Sequence, residues 1–124
     1  MAYIKINYKG RKRQYAWITL RQLLRYYFIC KYLEVQNCEL TTSIISTKCT
    51  IDGVHVKRVR DKLDFMESMK WVQSRSKRVQ NKWRPNCILW KLKTHGKVNG
   101  KNFIRTVESN YQKEIEEYKK KGVI

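Results

Sequence analysis

Directly behind Thr19, the residues Leu20, Leu23, Leu24, Tyr27, Phe28 and Ile29 recur at helical spacing, and Thr19 with Gln22 three positions on spells a capping box. The pattern predicts a core helix from about Leu20 to Leu33. Such a helix has to be covered by the rest of the chain, and 124 residues suffice to do so in one domain with short extensions. Apolar residues at 42% and aromatics at 12% place the sequence among folding chains rather than disordered ones, despite its heavy charge.

That charge is one-sided. Lys and Arg number 28 against 10 Asp and Glu, a formal +18, which predicts a polyanionic partner. No acid precedes Glu34 and none lies between Glu67 and Glu108, so two zones are purely basic. A membrane surface is the other common use of such charge. Against it, no apolar run approaches the roughly 20 residues of a spanning helix, and the N-terminus lacks a signal-peptide core. The expectation is a soluble, cytoplasmic protein without a membrane partner. Cys30, Cys38, Cys49 and Cys87 show no C-x-x-C pairing, and Cys30 and Cys49 fall in apolar-patterned stretches, which favours reduced thiols over a disulfide framework.

Residues 1–18 alternate, with Tyr3, Lys5 and Asn7 against Ile4, Ile6 and Tyr8, and pass a basic turn at Lys9-Gly10-Arg11-Lys12 before Tyr15, Trp17 and Ile18, the pattern of a β-hairpin. Its Arg11, Lys12 and Arg13 either touch nucleic acid or keep an edge soluble. After the core helix, Thr41 or Thr42 caps a short second helix carrying Ile44, Ile45 and Cys49 inward. Asp52-Gly53 then reads as a turn and helix cap together. From Val54, the positions Val56, Val59, Leu63 and Met66 form one helical stripe, predicting a third helix to about Met69, with Phe65 off the stripe. Trp71-Val72 and Cys87 to Leu92 look like two strands joined by a basic, acid-free arm from Gln73 to Pro85.

The stretch from Leu40 to Leu92 resembles a winged helix-turn-helix. Leu40-Thr41 opens the short helix, Ile51-Asp52-Gly53 supplies the turn, Val56, Val59 and Leu63 fit the inward positions of a recognition helix, and Trp71-Val72 with Ile88-Leu89-Trp90 look like the wing strands. The Ile, Lys, Tyr and Arg-rich composition is similar to that of small crenarchaeal winged-helix proteins, viral and chromosomal. The resemblance implies an α+β fold with an N-terminal β-hairpin over residues 1–18, a winged-helix domain over 19–95 and an additional C-terminal helix over 96–124. It implies a DNA-binding transcription regulator, located on the nucleoid or, if viral, in the host cytoplasm. The recognition helix would lie in the major groove and the wing along the backbone.

On this reading the DNA-binding residues are Gly53, Val54, His55, Lys57, Arg58 and Lys62 with the wing residues Arg75, Lys77, Arg78, Lys82 and Arg84. Arg58 is suited to guanine O6 and N7, Lys57 and Lys62 to phosphates, and His55 to a phosphate or base at a helix N-terminus. Asp61 either accepts from cytosine N4 or neutralises a neighbouring Arg. A non-specific architectural protein coating duplex DNA is the first alternative. A single-strand binder, stacking bases on aromatics such as Tyr26, Tyr27, Trp71, Trp83 and Trp90, is another, with Tyr27 and Trp90 falling at inward positions and Trp83 the most surface-like.

Catalysis is not expected. Asp61, Asp64 and Glu67 recur every three residues, a spacing open to a nuclease metal site, but lie among Lys57, Arg58, Arg60, Lys62 and Lys70, where ordinary helical ion pairs form. His55 and His95 have no partner at zinc-ligand spacing, and no phosphate-binding glycine loop follows a strand, so neither metal nor cofactor is expected. Asn102 is placed to cap a last helix whose Phe103, Val107, Tyr111, Ile115 and Tyr118 form one stripe. The stripe packs either on the chain's own first helix or on a second copy, and a homodimer is the favoured expectation.

Overall fold

Alternation makes the first element: in the computed structural model, which describes residues 3–7, 15–77 and 87–124, β1 (Tyr3–Asn7) pairs antiparallel with β2 (Tyr15–Thr19). Ile4, Ile6 and Ile18 face the core, while Tyr3, Lys5, Tyr15 and Trp17 face outward. The basic turn, including Arg11, Lys12 and Arg13, lies outside the described residues. Thr19 ends β2 and starts α1 (Leu20–Gln36) through the expected capping box: its hydroxyl accepts from the Gln22 amide at 3.2 Å, and its own amide donates to Gln22 Oε1 at 3.0 Å. Leu23, Leu24, Tyr26, Tyr27, Phe28, Ile29, Cys30, Tyr32 and Leu33 are all buried, so α1 is the central helix. It ends at Asn37, which adopts the left-handed conformation and donates its amide to Leu33.

A short strand β3 (Leu40–Thr41) leads into α2 (Thr42–Lys48), capped by the Thr41 hydroxyl on the Ile44 amide. Ile45 and Cys49 are buried as expected, but Ile44 faces solvent. Next comes the largest departure from the sequence reading. Residues 54–59 do not begin a helix: β4 (Thr50–Ile51) and β5 (Val54–His55) form a hairpin, and the third helix, α3 (Arg60–Ser68), starts six residues later than expected. Asp52 (φ 51) and Gly53 (φ 80) are both left-handed, as a two-residue hairpin turn of the I′ kind requires. Val56 is buried in the extended segment much as it would have been on a helix face, whereas Val54, expected to face outward, is buried as well. The chain's last residues then hold that segment extended. The amides of His55 and Lys57 donate to the carbonyls of Gly122 and Ile124, and the Ile124 amide donates to His55.

Phe65, off the apolar stripe of α3, is half-buried and stacks on Tyr26 with ring centroids 5.0 Å apart. After α3, Trp71 precedes β6 (Val72–Lys77) rather than belonging to it, and residues 73–77 of the expected arm are strand. β6 pairs with β7 (Cys87–Leu92), and β7 pairs on its other edge with β3, giving a three-stranded antiparallel sheet of order β3-β7-β6. The fold is thus mixed α+β with small antiparallel sheets. Trp90 ties this sheet to α2, its indole N–H donating to the Thr42 hydroxyl at 2.7 Å.

Asn99, not Asn102, caps the next helix, α4 (Gly100–Asn110), accepting from the Asn102 amide at 2.8 Å. The expected single C-terminal helix is broken at Tyr111, which leaves helical geometry, and α5 (Gln112–Lys121) follows it directly. The five-residue stripe is used within the chain. Phe103, Val107 and Ile115 are buried, Tyr111 and Tyr118 are partly buried against the same core, and α4 packs along α1. Because this face is already covered, the stripe no longer supplies the seam from which a homodimer was expected. Trp71 stacks on Phe103 at 3.8 Å with planes 14° apart. At Gly100 the α4 backbone approaches so closely that a Cβ would overlap the Trp71 carbonyl and the Leu92 side chain.

Two outcomes test this packing. Gly100→Ala should destabilise the fold by about 1–3 kcal/mol through overpacking, seen as a lower midpoint in urea unfolding. Val107→Asp should lower the melting temperature sharply, since it buries an unpaired charge, while sedimentation reports the same mass as wild type. A loss of mass with the fold intact would restore the dimer seam.

Candidate nucleic-acid interface

Between the β4–β5 hairpin and α3, the chain alternates in the order Val56 in, Lys57 and Arg58 out, Val59 in. Burial of the two valines and the backbone bonds of Val56 to Cys49 and Lys57 to Ile124 fix this linker against the core. Arg58 takes φ 58, a left-handed conformation that costs a residue with a Cβ roughly 1–2 kcal/mol. Its neighbour across the gap is Arg25 of α1. Burial, then the charges of Arg21 and Arg58, depress the Arg25 guanidinium below its ordinary range, and Tyr118 on α5 acts in the opposite sense. A guanidinium remains charged at neutral pH under such shifts. Arg21 and Arg25, four residues apart, share one face of α1. Three arginines from two segments remote in sequence are therefore gathered at one place, and Arg25 Nε is buried without a hydrogen-bond partner among the described residues.

The site residues expected from sequence are dispersed by this arrangement. Val54 is buried and paired in β5, so it reaches no ligand. Gly53 forms the exposed hairpin turn. His55 is partly buried, with Nδ1 3.3 Å from the Thr50 hydroxyl and its backbone bonded to the C-terminal residues. Lys62 is half-buried with its ammonium 5.9 Å from the Tyr26 ring. Lys57 and Arg58 remain exposed, but on the linker rather than a helix. On the hairpin, Arg75 is exposed and ion-paired to Glu39 at 2.6 Å, and Lys77 ends β6 opposite Cys87. Arg78, Lys82 and Arg84 lie outside the described residues, as does Trp83.

The exposed residues of α3 are Arg60, Asp61, Asp64 and Glu67, so carboxylates outnumber cations there. Arg60 Nε donates to the Ser46 hydroxyl at 3.3 Å, and Glu67 accepts from Ser74. Among the described residues no group of three or more His, Cys, Asp or Glu is arranged to hold a metal ion. Nor is any described helix long and apolar enough to cross a membrane. The four cysteines are free; burial pushes the Cys30 thiol far up and the Cys49 thiol up to about 12, so both are inert core groups.

Tyr26, Tyr27, Trp71 and Trp90, read as stacking candidates, are core residues, which removes them from any base contact. Among the described residues the exposed aromatics are instead Tyr3, Tyr15 and Trp17 on the β1–β2 ribbon. Their signal was the period-two alternation that set Tyr3 and Lys5 opposite Ile4 and Ile6. Arg21 and Arg25 carried no comparable signal, because only the docking of the 56–59 linker beside α1 makes them a cluster. The chain matches no protein-family model, no curated protein and no solved structure.

Proposed function

We propose that this chain is a duplex-DNA-binding protein of winged-helix architecture that grips the phosphate backbone instead of reading bases with a recognition helix. The observation that carries the architecture is the pairing of β3 with β7. A short strand between the first two helices, laid against the far strand of the terminal hairpin, is the strand order of a winged helix, with α1, α2 and α3 in the three helical places and β6–β7 as the wing. The β4–β5 hairpin stands where the family has a plain turn.

Electrostatics separates the two modes of binding. An α3 that presents Asp61, Asp64 and Glu67 would carry three carboxylates toward a groove lined by phosphates, an unfavourable approach at any sequence. The Arg21, Arg25 and Arg58 cluster has the opposite character. Like charges held together are costly, and phosphate oxygens drawn to the cluster relieve that cost. Contacts of this kind position a protein on DNA and carry no sequence information. The reading therefore favours an architectural role over a site-specific regulator.

Affinity for random duplexes should fall steeply with salt, and Arg25→Ala or Arg58→Ala should weaken every duplex alike and reduce the slope of log K against log salt by about 1 each. A selected motif preferred by roughly a thousandfold or more over other sequences would overturn the backbone-gripping mode. Absence of duplex binding at low salt would end the DNA reading altogether. Arg58→Gly separates strain from function: it should raise stability by roughly 0.5–1 kcal/mol, because glycine adopts φ > 0 freely, while lowering duplex affinity. A variant that melts lower than wild type would contradict this account.

A further inference from the structure

The outer face of the β1–β2 ribbon places Tyr3 and Trp17 each 62% exposed and Tyr15 45% exposed, in a chain whose other described tryptophans, Trp71 and Trp90, are buried. By register Lys5 lies directly opposite Trp17, and Tyr3 lies diagonal to it. The Lys5 ammonium sits 3.5 Å from the centre of the Tyr15 ring and 5.9 Å from that of Trp17. Three aromatic faces and one cation thus share a single surface. Leaving such rings in water forgoes burial that the ribbon's inner residues, Ile4, Ile6 and Ile18, obtain against the core.

We propose that this surface is a stacking platform for the unpaired bases of a single-stranded nucleic acid, separate from the arginine cluster that grips duplex phosphates. Same-face neighbours on a strand such as Tyr15 and Trp17 stand about 6.7 Å apart, roughly twice the 3.4 Å repeat of stacked bases. An opened strand can therefore offer one base face to each ring, whereas a duplex hides its base faces in its own stack. Stacking on aromatics is indifferent to base identity, since every base has a π-face. The charge around the platform fits the same occupant. No Asp or Glu precedes Glu34, so a second copy of the ribbon would meet its own cations, while a phosphate backbone meets a uniformly positive segment. Lys5 also lines an open cleft of about 460 Å³ beside the start of α4, with Trp71, Lys97 and Phe103, which puts a second cation on the same cleft.

The test uses the full chain and fluorescently labelled oligodeoxythymidylate and oligouridylate, with a duplex of equal length measured in parallel. Trp17→Ala, Tyr15→Ala and Tyr3→Ala should each weaken single-strand binding by roughly five- to a hundredfold and leave duplex affinity nearly unchanged. Trp17→Phe should retain most of the single-strand affinity, which separates lost stacking from a damaged ribbon. Equal loss on DNA and RNA strands identifies the bases as the shared ligand, and loss confined to one sugar type narrows the partner to that strand. Single-strand affinity that is unaffected by the alanine variants, or that falls only in step with duplex affinity, overturns the proposal. So does a Trp17→Ala chain whose sole change is lost self-association in sedimentation or lost binding to anionic vesicles. Because Arg58→Gly acts on duplex affinity and Trp17→Ala on single-strand affinity, failure of either assignment leaves the other standing.

Discussion

Tyr26, Tyr27, Phe28 and Ile29 are consecutive and so point in four directions around α1, and every one of them is buried, so this helix needs cover on nearly all sides. Each such side chain contributes roughly 1.5–3 kcal/mol when removed from water, and no single neighbour can cover them all. The ribbon supplies Ile4, Ile6 and Ile18, α4 supplies Phe103, Ile104 and Val107, and the sheet supplies Trp90 and Leu92. The apolar stripe of the last two helices is consumed in the same way. What remains for the surface is the charge, and that is why a chain of net charge +18 can fold at all: its cations stay in water while one continuous core does the holding.

How much of this was legible depends on whether local pattern and tertiary partner agreed. Thr19 and Gln22 announced α1 because a capping box is closed within four residues, and the β1–β2 alternation announced itself for the same reason. The β6–β7 hairpin was likewise placed correctly in order, whereas Leu40-Thr41, which reads locally as the opening of the second helix, forms β3 against β7. The segment from Val54 to Val59 was misread, with Val56 and Val59 rightly placed inward and Val54 wrongly placed outward. Val56 and Val59 satisfy a helical stripe with Leu63, but Val is stiff at χ1 and suits a strand better, and Asp52-Gly53 between apolar residues is itself a strong hairpin signal. What decided between the two was the pairing of His55 and Lys57 with Gly122 and Ile124, a contact some 67 residues away that no local window contains. The break at Tyr111 has a similar origin: the stripe spacing is continuous, yet the chain turns there so that Ile115 and Ile124 can reach the core.

That misreading mattered for function because it moved the cations. On a helix running from Val54, Lys57 and Arg58 would have faced outward with Asp61 as a minority charge. With α3 starting at Arg60, they leave the helix and the acids dominate its exposed face. Asp61 in the first turn and Glu67 bonded to Ser74 are then well explained as local stabilisers, the first through the helix dipole. Arg21 and Arg25 are in the reverse situation. They stand in the first two turns of α1, where the dipole is positive, and the linker adds Arg58 to them.

Arg58 is one of four described residues other than glycine with positive φ. Asn37 ends α1 as its left-handed cap, Asp52 forms the hairpin turn, and Lys70 follows the end of α3 with its amide bonded to Glu67, so each of these conformations is required by a local stop or reversal. Arg58 ends no helix and closes no hairpin. Its conformation instead holds its charge beside Arg25, which is itself partly buried and keeps a donor without a partner. A fold selected for stability alone would relax both features with glycine at one position and a neutral side chain at the other. Both are local costs that an anionic partner of the kind proposed above would offset through the charge it brings to Arg25 and Arg58.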